Sequence, residues 1–169
     1  MASESAYHIR EATPDDVDTI LQLIIDLAIY EKEPDAVKAT PELLRKNLFE
    51  SPYAHALIAF SGSADAPGEA VGLALYFFNY STWTGRPGLY LEDLYVKQDY
   101  RSHGIGKALF NRLGRVAEER GCARMDWAVL TWNQPSIDFY EKRLGAQRMS
   151  DWVGMRLDEK GIADLKNLV

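Results

Sequence analysis

The chain has 169 residues, a formal net charge of −6, 47% hydrophobic and 26% charged residues, a balance that supports one globular domain with its own core. The acidic charge argues against a general nucleic-acid binder. The one cysteine, Cys122, forbids an intrachain disulfide, and no apolar run approaches the roughly 20 residues of a membrane span. The first residues, MASESAYHIREA, carry no apolar signal segment, so the expected location is cytoplasmic.

In chain order, YHIR at 7–10 reads as a first strand. Thr13 or Asp15 is placed to cap a helix that begins near Pro14. Ile20, Leu21, Leu23, Ile24, Leu27 and Ala28 repeat at helical spacing up to Tyr30–Glu31. A second helix is predicted from Pro41 to about Phe49, with Thr40 as its cap. Strands follow at 54–60, 70–80 and 89–96, the first two separated by the turn-rich SGSADAPGEA and the last two by STWTGRPG. Residues 105–120 form a strong helical pattern closed by Gly121. A strand at 125–130, a helix at 135–144, a final strand near 152–157 and a short terminal helix complete the chain. The order β-α-α-β-β-β-α-β-α-β describes an α/β (α+β) domain with a mixed central sheet flanked by helices. The expected domain spans 7–157, followed by a tail or short helix at 158–169.

Gly104 and Gly106 stand in RSHGIGKALF, where the helix over 105–120 begins. A helix start leaves backbone N–H groups unpaired, and glycine lets an anion approach them closely. Arg101 adds a fork of donors and Lys107 a point charge. Spacing alone supports a phosphate seat and an ordinary tight turn equally. Neither a Walker A loop nor a dinucleotide fingerprint fits.

The motif R-S-H-G-I-G resembles the (R/Q)-x-x-G-x-(G/A) acyl-CoA motif of the GNAT N-acetyltransferases. YLEDLYVKQDYRSHGIG at 90–106, AVLTWNQPSIDFYEKRLGA at 128–146 and LAIYEKE at 27–33 resemble the diamine N-acetyltransferase branch, which takes in spermidine/spermine and thialysine acetyltransferases. The resemblance covers about residues 7–157. It implies a splayed mixed sheet, acetyl-CoA as donor and a homodimer whose end segment reaches the neighbouring site. Arg101, Ser102, His103, Gly104, Ile105, Gly106 and Lys107 would seat the pyrophosphate. Leu94, Tyr95 and Val96 would lend backbone groups to the pantetheine arm. Asn133 and Ser136 would contact the donor, though each also reads as part of an ordinary helix cap.

Transfer to an amine needs a proton acceptor, a donor to the developing oxyanion and a proton for the leaving thiolate. Glu92 and Asp93 interrupt an apolar strand, which is costly unless they face a cleft or a partner. They point to opposite faces unless a bulge intervenes. The resemblance makes Glu92 the base, acting directly or through water, and Tyr140 the acid. Beside Phe139, Tyr140 also reads as core. Tyr30, Glu31, Ser81, Trp83, Glu92, Asp93 and Trp132 are the expected substrate contacts, carboxylates and aromatic faces being suited to an aminoalkyl cation. Ser81 stands where strong polyamine acetyltransferases of the branch carry an aspartate, which tilts the expectation toward a thialysine- or lysine-like amino acid or a short diamine. The three histidines have no zinc-ligand spacing, so no metal is expected. The alternatives are a protein or peptide N-acetyltransferase and a catalytically weak CoA-binding regulatory module.

Overall fold

The computed structural model describes residues 7–168. The chain divides into two compact units, Met1–Ala128 and Val129–Val169. The first holds strands β1 (Tyr7–Glu11), β2 (His55–Gly62), β3 (Pro67–Ser81), β4 (Arg86–Val96) and β5 (Arg124–Trp127). Its helices are α1 (Val17–Tyr30), α2 (Pro41–Arg45) and α3 (Ile105–Glu119). The sheet runs in sequence order, β1-β2-β3-β4-β5. β1 to β4 pair antiparallel; β5 returns parallel to β4 after α3.

Both faces of the sheet are covered, which is why Leu57, Ile58 and Ala59 of β2 form a continuous buried run rather than an alternating one. Ile105, Leu109 and Leu113 of α3 pack with Leu57, Ala59, Tyr76, Leu89 and Leu91 on one face. Ile20 and Leu23 of α1 pack with Ile58, Leu73 and Leu75 on the other. Three irregularities break the ladder, one of them between Phe60↔Ala70 and Gly62↔Pro67. Val71 is the extra residue on β3 between the pairs Phe60↔Ala70 and Ala59↔Gly72. Glu92 is the extra residue on β4 between Tyr76↔Leu91 and Leu75↔Asp93. The β4–β5 ladder stops at Leu91↔Trp127, so residues 92–96 are paired on their β3 side only.

The helix expected to begin near Pro14 is split in two. Pro14–Asp16 forms a 3-10 turn with the expected Thr13 as its N-cap, and α1 follows from Val17, with Asp16 at its N-cap position but making no side-chain cap bond to it. The buried Asp16 carboxylate accepts from Thr13 N at 2.7 Å and Thr13 Oγ1 at 3.0 Å, and Arg10 donates to both its oxygens at 2.7 and 2.9 Å. These donors, Arg10 foremost, hold its carboxyl below the usual range. Asp16→Ala strands a backbone N–H and a guanidinium, at an expected cost of about 2–4 kcal/mol. A thermal melt at pH 7 checks it. Because the folded-state value is depressed, the gap to the parent is full above the ordinary carboxylate range and closes as pH falls through the folded-state value.

The predicted helix 41–49 is α2 followed by a single π turn, Lys46–Glu50. The turn-rich 61–70 segment is largely strand, because β2 and β3 run on to Gly62 and Pro67.

The second unit contains α4 (Gln134–Leu144) and α5 (Glu159–Asp164). Asn133 caps α4, its Oδ1 accepting from Ser136 N at 3.4 Å, and Gly145, at φ +71°, ends it. The expected last strand at 152–157 is not formed. That stretch has an apolar alternation, yet Val153 and Met155 are 81% and 91% exposed, and among the described residues no strand pairs with it. A strand needs a partner as well as a pattern. Among the described residues, no helix is long and apolar enough to cross a membrane.

Candidate active site

The loop between β4 and α3 is built around two residues in the left-handed region, Ser102 at φ +65° and Gly104 at φ +84°. Gly104 is the N-cap of α3, and the first backbone N–H to find an acceptor within the turn is that of Ala108, on Gly104 O at 2.9 Å. The N–H groups of Ile105, Gly106 and Lys107 precede it and have no intrahelical acceptor. The two glycines answer different needs. Gly104 is required by its own backbone angle. Gly106 has no unusual angle, and a Cβ built on it would meet nothing within 4 Å. Among the described residues no packing explains Gly106; the open space over the helix start fits a phosphate held by backbone N–H groups. Ser102, His103 and Lys107 are exposed around that space, whereas the Ile105 side chain is buried in the core.

Arg101 does not simply reach outward. Its Nε donates to Val96 O at 2.9 Å, and its guanidinium lies 4.5 Å above the Tyr30 ring and 5.9 Å from the Tyr95 ring. It thereby joins the donor loop to the end of α1. The preceding connection is braced as well: Glu69 of β3 accepts from Lys97 Nζ at 2.8 Å and Tyr100 Oη at 2.7 Å. Sequence reasoning missed Glu69, because its partners lie 28 and 31 residues away.

The bulge organises the carboxylates. Leu91 and Leu94 are three apart, yet both pack on the α3 side. Clean alternation would send them to opposite faces, and Glu92 is the residue that restores them. Asp93 stands opposite Leu75, a member of the α1-side core. Glu92 and Asp93 therefore do not alternate as an unbulged strand would make them. Glu92 is exposed and Asp93 half-buried. Burial, then the charges of Glu92 and Glu31, push the Asp93 carboxyl up to about 6. Burial also raises Glu31, at the C-cap of α1. Three carboxylates thus share a mutually repulsive environment that a bound cation would relieve.

Ser81 is buried at the end of β3, where its Oγ accepts from Thr84 N at 3.3 Å and its carbonyl from Gly85 N at 2.9 Å. Its hydroxyl closes the β3–β4 turn, an intrachain job the sequence expectation did not assign. Trp83, at the tip, is 88% exposed. In the second unit Asn133 is buried, Tyr140 lies half-buried on α4 with its ring 5.7 Å from that of Phe139, and Trp132 is exposed ahead of the helix.

Residues 19–146 match the family model described as Acetyltransferase (GNAT) family. The chain belongs to that family. Its relatives include the thialysine N-epsilon-acetyltransferase of Bos taurus, 44% identical over 93% of this chain and 95% of that one. The spermidine/spermine N(1)-acetyltransferase-like protein 1 of Homo sapiens is 40% identical over 89% of this chain, which corresponds to 22% of that larger protein. Among solved structures, an integron cassette protein from the mobile metagenome of V. cholerae superposes with a TM-score of 0.76 at 23% identity, covering 95% of this chain and 98% of that one. The mixed sheet between α1 and α3 is thus the GNAT fold, and the chain is similar to the thialysine and diamine acetyltransferases of that family. Within this GNAT acetyltransferase, the bulge at Glu92, the raised carboxyl of Asp93 and the stacked Arg101 are the features that sequence reasoning did not fix. Each depends on cross-strand register or on long-range packing.

Proposed function

We propose that the protein transfers the acetyl group of acetyl-CoA to the terminal primary amine of a small aminoalkyl substrate. A thialysine- or lysine-like amino acid is the first choice, with a diamine or polyamine next. The observation that carries this reading is the junction at Arg101, which stacks the glycine-lined loop onto Tyr30, the neighbour of Glu31 in the acidic cluster. An anion seat and a cation seat then adjoin in one unit, as a CoA donor and an ammonium acceptor require.

The N–H groups of residues 102–107 and the Lys107 ammonium hold the pyrophosphate. Val96 O is already engaged by Arg101, so Leu94, Tyr95 and the N–H of Val96 offer the open edge of β4 to the pantetheine arm. Asn133 and Ser136 contribute from the start of α4. When bound, acetyl-CoA supplies an activated acyl thioester. Glu31, Glu92 and Asp93 draw in the ammonium, with Tyr30, Trp83 and Trp132 as aromatic walls. An alkylammonium near pKa ~10.4 must lose a proton before its nitrogen can attack. Within the Glu92–Asp93 pair, the Asp93 carboxylate takes that proton. It is ionised at pH 7, yet held basic enough to accept. Transfer is direct, in a ternary complex, with the Tyr140 hydroxyl giving a proton to the departing sulfur.

Tyr140→Phe is expected to lower kcat by about 10²–10³-fold while the Kd for CoA stays within about twofold. Steady-state kinetics beside calorimetry measures both, and unchanged turnover removes Tyr140 as the acid. The substrate is tested by following acetyl-CoA consumption with thialysine, lysine, putrescine, spermidine, spermine and short peptides. Thialysine or lysine should turn over fastest; peptides outrunning every small amine would sink the assignment. The homodimer is retained as part of the proposal because exposed Trp152, Val153 and Met155 form an apolar run that a second chain would cover. A monomeric mass for the active species in light scattering removes it.

A further inference from the structure

At the other end of α3 from the donor loop lies a cavity of about 200 Å³, far larger than one water needs. Its lining includes Glu11, Phe49, His55, Tyr76, Phe78 and Arg120. It is separated from the donor loop by the length of α3. Arg120 caps the C-terminus of the fifteen-residue α3, and Gly104 its N-terminus, a separation of roughly 22 Å at 1.5 Å per residue.

The lining is furnished for a polar guest. Tyr76 is only 5% exposed and lines this cavity. Its ring is fixed by His55 at 5.4 Å and Phe78 at 5.9 Å, so the hydroxyl is not free to swing away. Glu11 and Arg120 line the same space with opposite charges, yet among the described residues neither makes an ion pair. Arg120 instead lies 5.4 Å from the Phe78 ring centre. Both charges act on Tyr76: after burial, Glu11 raises its hydroxyl, while Arg120 and Arg112 oppose the shift. Exposed groups of opposite charge that line one cavity together with a phenol suit a molecule that carries both signs.

We propose that this cavity is a second ligand site, for a small zwitterion whose carboxylate meets Arg120 and accepts from the Tyr76 hydroxyl and whose ammonium meets Glu11. Phe49 and Phe78 wall the short apolar stretch between the two charges. The site stands apart from the acetyl-transfer reading and does not depend on it.

The full chain, labelled with ¹⁵N, is titrated with glycine, β-alanine and 4-aminobutanoate, which grade the distance between charges. Propionate and propylamine serve as single-charge probes. At least one zwitterion should give saturable shifts at the amides of Ala12, Ala56 and Tyr76, leaving Gly104 and Gly106 unmoved. Glu11→Gln and Arg120→Gln should each weaken it at least tenfold, and Tyr76→Phe three- to tenfold. The assignment is overturned if no zwitterion gives saturable shifts at those amides or if the shifts centre on the donor loop. It is also overturned if a single-charge probe binds as tightly, or if both charge variants bind like the parent. Because acetyl-CoA binding is read at Gly104 and Gly106, failure here is distinguishable from failure of the acetyl-transfer reading.

Discussion

Asp93→Asn is expected to lower kcat/KM by about 10²–10³-fold and, at pH 7.5, to make the protein more stable. Both effects come from one environment. Burial and the neighbouring charges of Glu92 and Glu31 lift the Asp93 carboxyl to about 6, so its ionised form is disfavoured in the fold. A raised acid weakens the folded state as pH climbs from the ordinary aspartate range to 6, and the cost is full above that. A neutral amide of the same shape removes the cost, a gain on the order of 1–3 kcal/mol that vanishes toward pH 4. The amide cannot accept a proton, so the rising limb of kcat/KM near pH 6 should disappear with it. Glu92→Gln supplies the contrast. Removing one like charge lowers the Asp93 value and moves the limb to lower pH without abolishing it. If Glu92→Gln erased the limb and Asp93→Asn kept it, the base would be Glu92, as the sequence resemblance implies.

Gly106→Val should raise the Kd for acetyl-CoA by about 10²-fold or more, close to 3 kcal/mol, while leaving the melting temperature of the free protein unchanged or slightly higher. Nothing within 4 Å awaits a Cβ at this position, and valine is a better helix former than glycine. The expected loss therefore belongs to the ligand alone. Gly104 cannot give so clean a result, because at φ +84° any Cβ strains the backbone by about 1–2 kcal/mol, whatever binds there. Isothermal calorimetry and a thermal melt of the same variant separate the two contributions. Equal affinity for Gly106→Val would return the glycine pair to the role of an ordinary helix start.

Much of the framework is legible in the chain. The apolar spacing of Ile20, Leu23 and Leu27, and of Ile105, Leu109 and Leu113, marks the inward faces of α1 and α3. The glycines at the start of α3 are visible for the same local reason. The last strand at 152–157 fails because periodicity says which face is apolar, not what will pair with it. Thr13 is legible as the cap at Pro14, but no local pattern shows that Arg10, six residues from Asp16 on β1, holds the Asp16 carboxylate.

The active-site chemistry divides along the same line. By itself the sequence determined that a glycine-lined helix start follows a strand carrying two adjacent carboxylates, since backbone freedom and residue type are local properties. Only the tertiary structure decided that Glu92 is the bulged residue, that Asp93 is the carboxyl raised toward neutrality, that Arg101 lies over Tyr30 and that Tyr76 faces a second cavity. Register, burial and charge proximity arise when segments distant in the chain come into contact, and no local pattern encodes them.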